Sequence, residues 1–390
     1  MASLQEKCVN QTLQLSSNSS QIITPPYTPE ESLARTIAYI CILIPALFLN
    51  TVVIICFYKD CELRCTFNLF ILNMAITDLM TAIFRMGFNV FTIATIRGWI
   101  WPYSWGLCQL NGYLQGIVQT SNMLTLLLMA VFRYIAVVQS KRHLVTNLSV
   151  LCAIGISWIL SMIEPLLPII GWNRYIYNAL EIACFPDWLY EKGFPIFIML
   201  LIFAIPLLVM AYCYSSIYWT IKKNSKRVRT MSGSGLSKAA LLKIAHREAK
   251  VTRTMFIIFA TFLICFGPYV VCITILFPLF SIWVGKDVAF FCGWMANFNS
   301  VVNPIIYPFL NDRFKKSYHD LFCQCCNQQT HAFPNNTSVI NIKFTTGRKI
   351  NNIDCHTHFK SNKLCPVGNS DTESFPTHPE SDLIYNDIDD

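Results

Sequence analysis

Seven runs of mainly apolar residues, near 36–58, 66–92, 110–138, 148–171, 194–220, 254–279 and 287–310, constrain this chain more than any other feature. Each is long enough for a helix crossing a bilayer, which takes about 20 residues. In lipid every backbone N–H and C=O must find a partner within the protein, so runs of this length are expected as helices. Composition points the same way. The chain is only 13% charged, against about 25% in soluble domains. The expected fold is an all-α membrane protein, a seven-transmembrane helix bundle; a soluble enzyme and a wholly disordered chain are both disfavoured.

The net charge of +8 raises the question of nucleic acid, but the Lys and Arg residues interrupt apolar spans and form no stripe beside stacking aromatics. No nucleic-acid partner is expected; topology explains the charge better. The loops after spans 1, 3 and 5 and the segment after span 7 hold 17 Lys and Arg, ten of them between Lys222 and Arg253, whereas the opposite side holds six. The positive-inside rule then predicts a multi-pass protein of the plasma membrane with its N-terminus outside and its C-terminus cytoplasmic. The first 35 residues are polar and lack a basic start followed by a short apolar core, so no cleaved signal peptide is expected and span 1 would act as the insertion signal. Asn10 and Asn18 head glycosylation sequons on the outer side. The 17 Cys are scattered, several inside apolar runs, which disfavours a zinc site or a dense disulfide framework.

Prolines interrupt four consecutive spans: Pro165 and Pro168 in the fourth, Pro206 in the fifth, Pro268 in the sixth and Pro304 in the seventh. Each removes a backbone donor and is expected to bend its helix. After span 7, Asn311–Phe322 reads as an amphipathic eighth helix, with Phe314, Tyr318, Leu321 and Phe322 on one face and Arg313, Lys315 and Lys316 on the other. Cys323, Cys325 and Cys326 come next, and the combination fits docking on membrane lipids with S-palmitoylation, the alternative being free thiols. The organisation expected is an outer tail over 1–35, the bundle over 36–310, the amphipathic helix with its cysteines over 311–326 and a disordered cytoplasmic tail over 327–390.

Motifs in the spans carry a specific resemblance. They are Asn50 in Leu49-Asn50-Thr51-Val52, Asp78 closing Leu72-Asn73-Met74-Ala75-Ile76-Thr77-Asp78, and Cys108 after Trp101-Pro102-Tyr103. Next come Arg133-Tyr134 at the end of span 3, Trp158 in span 4, Pro206 with Tyr214 in span 5, and Cys265-Phe266-Gly267-Pro268 in span 6. Asn299-Ser300 and Asn303-Pro304-Ile305-Ile306-Tyr307 mark span 7, and Phe314 stands at the spacing of an eighth helix. In this order the set resembles the rhodopsin-like (class A) G-protein-coupled receptors, with a faint likeness to the neighbourhood of opsins, melatonin receptors and invertebrate orphan receptors.

The resemblance implies roles. Cys108 and Arg133 are 25 residues apart, about 37 Å along one helix, which places them at opposite faces. Cys184 lies in the outer loop, where a disulfide to Cys108 can persist. Arg133 is expected as the signalling switch, held by Glu248 and released when the sixth helix swings out, with Tyr214, Phe266, Pro268, Asn303, Pro304 and Tyr307 rearranging. Two departures stand out: Phe132 replaces the acid usual before Arg133, and Phe266 replaces the usual Trp. Asp78 with Asn122, Asn299, Ser300 and Asn303 suggests an allosteric sodium site or a purely structural network; no other cofactor is expected.

The ligand pocket expected from the resemblance comprises Arg85, Tyr113, Gln115, Gly116, Gln119, Phe203, Phe266, Tyr269 and Asn297. Gln115 stands where amine receptors carry Asp, and Asn297 where visual pigments carry the retinal lysine, so neither an amine bound in the usual way nor covalent retinal is expected. Arg85 and Glu164 are charges inside spans; such charges face the bundle and pair. They either pair with each other, or Arg85 faces the pocket.

The function implied is a non-enzymatic receptor that binds an extracellular small molecule, lipid or peptide and activates heterotrimeric G proteins. Ser370, Thr372, Ser374, Thr377 and Ser381 lie among acidic residues of the tail, where phosphorylation would build an anionic strip for arrestin. Phe132 keeps a second reading open, a receptor-like protein that couples to arrestin without G protein. A membrane transporter would show inverted repeats with broken helices, and none is apparent.

Overall fold

The computed structural model describes residues 27–94, 105–178, 183–230, 236–276, 280 and 284–330; of these, 94, 229–230, 236–245, 247–248, 310 and 323–330 are described by backbone alone. The sequons at Asn10 and Asn18, the phosphorylatable tail, the Glu248 side chain and those of Cys323, Cys325 and Cys326 therefore lie outside the described residues. The chain divides into two compact units, Met1–Tyr318 and His319–Asp390. The α-helix that begins at Asp312 runs on to Thr330, beyond the expected end near Phe322.

Span 1, Pro29–Lys59, starts at a capping box in which Thr28 and Glu31 exchange side-chain-to-backbone bonds, with Pro29 in the first turn. Span 2 is continuous but not uniform: α-helix Asn68–Thr81, a π-helical turn Ala82–Gly87, then α-helix Phe88–Ala94. Span 3 is a long unbroken central helix, Trp105–Val137. Span 4 is shorter than the apolar run suggested. Its α-helix covers Asn147–Ile163 and tightens into a 3₁₀ turn at Glu164–Leu166, where Pro165 can no longer extend an α-helical ladder. Span 5 passes from Gly193–Ile198 through a π turn Met199–Ala204 into Ile205–Thr230. That turn contains Ile202, whose carbonyl loses its partner because Pro206 has no N–H. Span 6, Leu236–Tyr269, contains Pro268 and widens into a π turn over Val270–Leu276. Span 7, Lys286–Leu310, carries Pro304 and Pro308.

Six of these spans are long and apolar enough to cross a membrane by length and composition. The seventh has the length, at 25 residues, but Asn297, Asn299 and Asn303 lower its apolar character and face inward, all buried. Large aliphatic side chains such as Leu148, Ile156, Ile159 and Ile170 are exposed on the outside of span 4, of which only 22% of the apolar stretch is buried. Water would penalise such a surface; lipid does not.

Between spans 4 and 5 the bundle departs from an all-α description. Strands β1, Tyr175–Asn178, and β2, Ala183–Pro186, form an antiparallel hairpin with Tyr177 opposite Cys184. Arg174 anchors its base through Nε and a terminal nitrogen to Asp187, 3.0 and 2.8 Å. The hairpin packs on span 3: Gln109 Nε2 donates to the Tyr175 carbonyl at 3.0 Å, and a Cβ on Gly112 would fall 2.2 Å from the Tyr175 ring. Only glycine permits that approach.

Candidate functional site

Three polar assemblies lie along the bundle, each around a residue the sequence had singled out: Arg85, Asp78 and Arg133. At the hairpin end, Cys108 in the first turn of span 3 is disulfide-bonded to Cys184 of β2, with Cα atoms 5.4 Å apart. The bond fixes the hairpin over the bundle and brings Phe185, the next residue, above the second and sixth spans. The Arg85 guanidinium lies over the Phe185 ring at 5.5 Å and the Tyr269 ring at 5.6 Å.

Arg85 belongs to the π turn of span 2. An extra residue in a helical turn rotates the remainder of the helix, and here it sets a long cation into the bundle; such turns recur at functional sites. Arg85 is 8% exposed and lines a small hollow, about 220 Å³ with its openings included, together with Gln115, Gln119, Phe84 and Val118. The expected alternative, an Arg85–Glu164 ion pair, does not form. Glu164 instead accepts a hydrogen bond from Thr120 Oγ1 at 2.9 Å, because its 3₁₀ turn directs it at the span 3 face next to Thr120.

Other residues expected at the pocket separate into groups. Tyr113 turns toward span 4, its hydroxyl donating to the Met162 carbonyl at 3.3 Å. Gly116 is also a helix contact: a Cβ there would lie 2.7 Å from Pro165. Phe266 is the centre of an aromatic column, stacked on Phe203 at 5.6 Å and Phe262 at 5.3 Å and tilted against Tyr269 at 5.6 Å. Asn297 is buried, donating to the Gly293 carbonyl at 2.8 Å. Sequence reasoning missed Phe84 and Val118 in the lining and Phe185 against the Arg85 guanidinium. Phe185 could have been found from its place beside Cys184; the other two carry no signal beyond helical periodicity.

Mid-bundle, Asp78 is fully buried and collects donors from two other spans. Ser300 Oγ donates to its Oδ1 at 2.9 Å, Asn303 Nδ2 to its Oδ2 at 2.9 Å, and Asn122 Nδ2 to Oδ1 at 3.4 Å. Asn299 is buried nearby in sequence, but its Oδ1 has no hydrogen-bond partner and it is not one of the donors to Asp78. The fit to a sodium ion is poor in this arrangement. A cation needs oxygens turned toward it, whereas Asn122 and Asn303 present N–H groups and the Asn122 Oδ1 accepts from Thr77. The same region is stitched outward. Asn73 Nδ2 donates to Thr125 at 2.7 Å, its Oδ1 accepts from Trp158 Nε1 at 2.9 Å, and Asn50 Nδ2 donates to the Ser300 carbonyl at 2.9 Å.

At the far end of span 3, Arg133 is 3% exposed. One of its terminal nitrogens donates to Thr252 Oγ1 of span 6 at 3.1 Å, and its guanidinium lies 4.8 Å from the Phe67 ring. Phe132 packs edge-on against Phe70 of span 2 at 5.5 Å, so an apolar contact replaces the ionic one an acid would make. Tyr214 stacks on Phe259 at 5.5 Å, and Tyr307 is fully buried against Phe314 at 5.7 Å with its hydroxyl unbonded.

Comparison with known proteins agrees with this geometry. The family model for the 7 transmembrane receptor (rhodopsin family) matches residues 49–307. Opsin-3 of Mus musculus is 28% identical over 279 residues, covering 70% of this chain and 67% of that protein. The GQ-coupled rhodopsin of Mizuhopecten yessoensis is 25% identical over 295 residues, 73% of this chain and 58% of the relative. Somatostatin receptor type 2 of Mus musculus is 28% identical over 330 residues, 79% and 82% of the two chains. Among solved structures, squid rhodopsin superposes with a TM-score of 0.68 at 20% identity, covering 80% of this chain and 94% of that one. With the motifs in their spans and more than half of the chain matched, the protein belongs to the rhodopsin family of seven-transmembrane receptors.

Proposed function

We propose that this receptor sits in the plasma membrane with the Cys108–Cys184 end outside, binds an extracellular ligand near Arg85, and activates heterotrimeric G proteins from the Arg133 end. The observation that carries the reading is the Arg133–Thr252 bond, which ties span 3 to span 6 across the end where a G protein would enter. A buried guanidinium cannot shed its proton, so leaving Thr252 requires another acceptor, and an incoming protein carbonyl can supply one. Breaking one such contact shifts a two-state equilibrium about tenfold per 1.4 kcal/mol. Glu248 is the further restraint on Arg133 suggested by its type and spacing. Because Phe132 supplies no charge, the closed state is held with one ionic contact fewer than in most of the family.

Arrestin recruitment through the phosphorylated tail, lipidation at Cys323, Cys325 and Cys326, and glycosylation at Asn10 and Asn18 complete the proposal. Nucleotide exchange on a panel of purified G proteins, without added ligand, tests it. Measurable basal exchange, raised by Glu248→Ala and lowered by Phe132→Asp, is expected. No exchange with any G protein, alongside arrestin binding to the phosphorylated receptor, would favour the arrestin-only alternative instead.

A further inference from the structure

Three polar side chains of the hollow beside Arg85 keep hydrogen-bonding capacity that no described residue uses. Among the described residues, Arg85 has no hydrogen-bond acceptor and no carboxylate in ion-pair reach; its contacts are the faces of two aromatic rings. Gln119 Nε2 is buried with no partner. Gln115 Nε2 donates to Asn111 Oδ1, and Asn111 donates on to the Phe84 carbonyl at 3.0 Å, which leaves Gln115 Oε1 buried and unbonded. Gln115 and Gln119 stand one turn apart on the same face of span 3, yet are not bonded to one another. All three side chains line the one hollow.

An unpaired donor away from water costs about 1–3 kcal/mol, and more for a charged one. The hollow thus offers one permanent cation, one unpartnered amide donor and one unpartnered acceptor. We propose that this hollow binds a small monocarboxylate, its two oxygens held by the Arg85 guanidinium and the Gln119 amide, with Gln115 Oε1 taking a hydroxyl proton from the ligand in a hydrogen bond. The proposal deepens, and rests on, the reading of this end as the ligand site.

The class comes from the chemistry. A planar guanidinium matches a carboxylate with two parallel hydrogen bonds. One positive charge balances one negative charge, which disfavours a phosphate dianion. The hollow reaches about 220 Å³ only with its opening to solvent included, so its enclosed part takes a carboxylate head group and the ligand is small. Met80, Phe84 and Val118 in the walls give its carbon body an apolar seat. Gln115 then adds specificity: a hydroxy acid satisfies its acceptor and the parent acid does not.

The test uses the full-length receptor purified in detergent and a panel of two- to eight-carbon acids: acetate, butyrate, hexanoate, benzoate and their 2-hydroxy or ring-hydroxy counterparts, each beside its primary amide. Thermal unfolding is followed as a function of concentration. At least one acid should raise the melting temperature while its amide does not, with the hydroxylated acid acting at lower concentration than its parent. Arg85→Ala should weaken the effective acid tenfold or more, about 1.4 kcal/mol, with Arg85→Lys and Gln119→Leu intermediate. Without acid, Arg85→Leu should melt within a few degrees of the native receptor, since losing the two ring contacts is offset by removing a cation with no ion-pair partner; this holds the proposal to account even where Arg85→Ala folds poorly. The proposal is overturned if no acid acts, if acid and amide act alike, if sodium chloride alone reproduces the shift, or if Arg85→Leu is destabilised by several degrees in the ligand-free state. Because melting needs no G protein, failure here is separate from failure of the exchange assay.

Discussion

The two ends of the bundle are held together in different ways. At the hairpin end the fold is fixed covalently and by backbone fit: one disulfide, one glycine against a tyrosine ring, one arginine clamped on Asp187. Inside that rigid frame three polar side chains are left incompletely satisfied. From Asp78 to Arg133 the spans are joined by side-chain bonds that run from Asn50 through Ser300 and Asp78 to Asn303. Unpartnered buried atoms occur in both regions, at Gln115 and Gln119 near the hairpin and at Asn299, Asn303 and Tyr307 beyond Asp78. A network of exchangeable bonds can be rearranged at modest cost, which suits the part that must move. The two regions thus differ in how their elements are joined, by a disulfide and backbone fit at the hairpin and by side-chain hydrogen bonds around Asp78.

The largest effect that would break this contrast is at the disulfide. It closes a sequence separation of 76, worth about 4 kcal/mol in the loop-entropy model. Cys108→Ala or Cys184→Ala should leave little receptor at the cell surface by antibody labelling; normal delivery would mean the hairpin holds itself in place. Next is Asp78→Ala, which strips the acceptor from Ser300, Asn303 and Asn122. Hydrogen bonds between membrane helices average about 0.6 kcal/mol, so a loss of about 2 kcal/mol in unfolding free energy is expected. An unchanged melting temperature would show that the network is not what joins spans 2 and 7. Thr252→Val removes a single bond to Arg133 while keeping shape; about 1 kcal/mol and a roughly five-fold rise in basal nucleotide exchange are expected. A fall would reverse the role given to that contact.

The smallest effect is a pH effect. Lys250 donates to Asp312 and holds its carboxyl below the usual carboxylate value of 3.8. A carboxyl whose folded value is depressed stabilises above its unfolded value and loses that contribution as pH falls through the folded one. The contact should therefore be intact at neutral pH and lost below about pH 3.8. Asp312→Asn should remove only that acid-dependent part of the melting curve, and since the pair is exposed the change should be slight.

Seven apolar runs carried the architecture, because a bilayer admits few ways to satisfy a backbone and the requirement is written residue by residue in hydropathy. The order of Asn50, Asp78, Arg133, Pro206, Pro268 and Asn303-Pro304 carried the family for the same reason: each acts at a fixed depth, and depth along a helix is sequence position times rise. The helix ends were less legible. Pro165 stopped span 4 earlier than its hydropathy suggests, and the π turn at Ala82–Gly87 has no proline to announce it.

What only tertiary structure decided is which way side chains face and what they meet. Tyr113, Gly116 and Gln115 lie within one turn of one helix, yet the first two meet span 4 and the third meets the hollow. Arg85 and Glu164 were two charges in need of partners, and sequence offered each to the other. Rotation of span 2 at its π turn gave Arg85 two aromatic faces and an open side toward the hollow, while the 3₁₀ turn of span 4 gave Glu164 to Thr120. The hydrophobic pattern fixes that a helix spans the membrane; its rotation and its local pitch are set by packing against neighbours far away in the chain, which no single stretch of sequence contains.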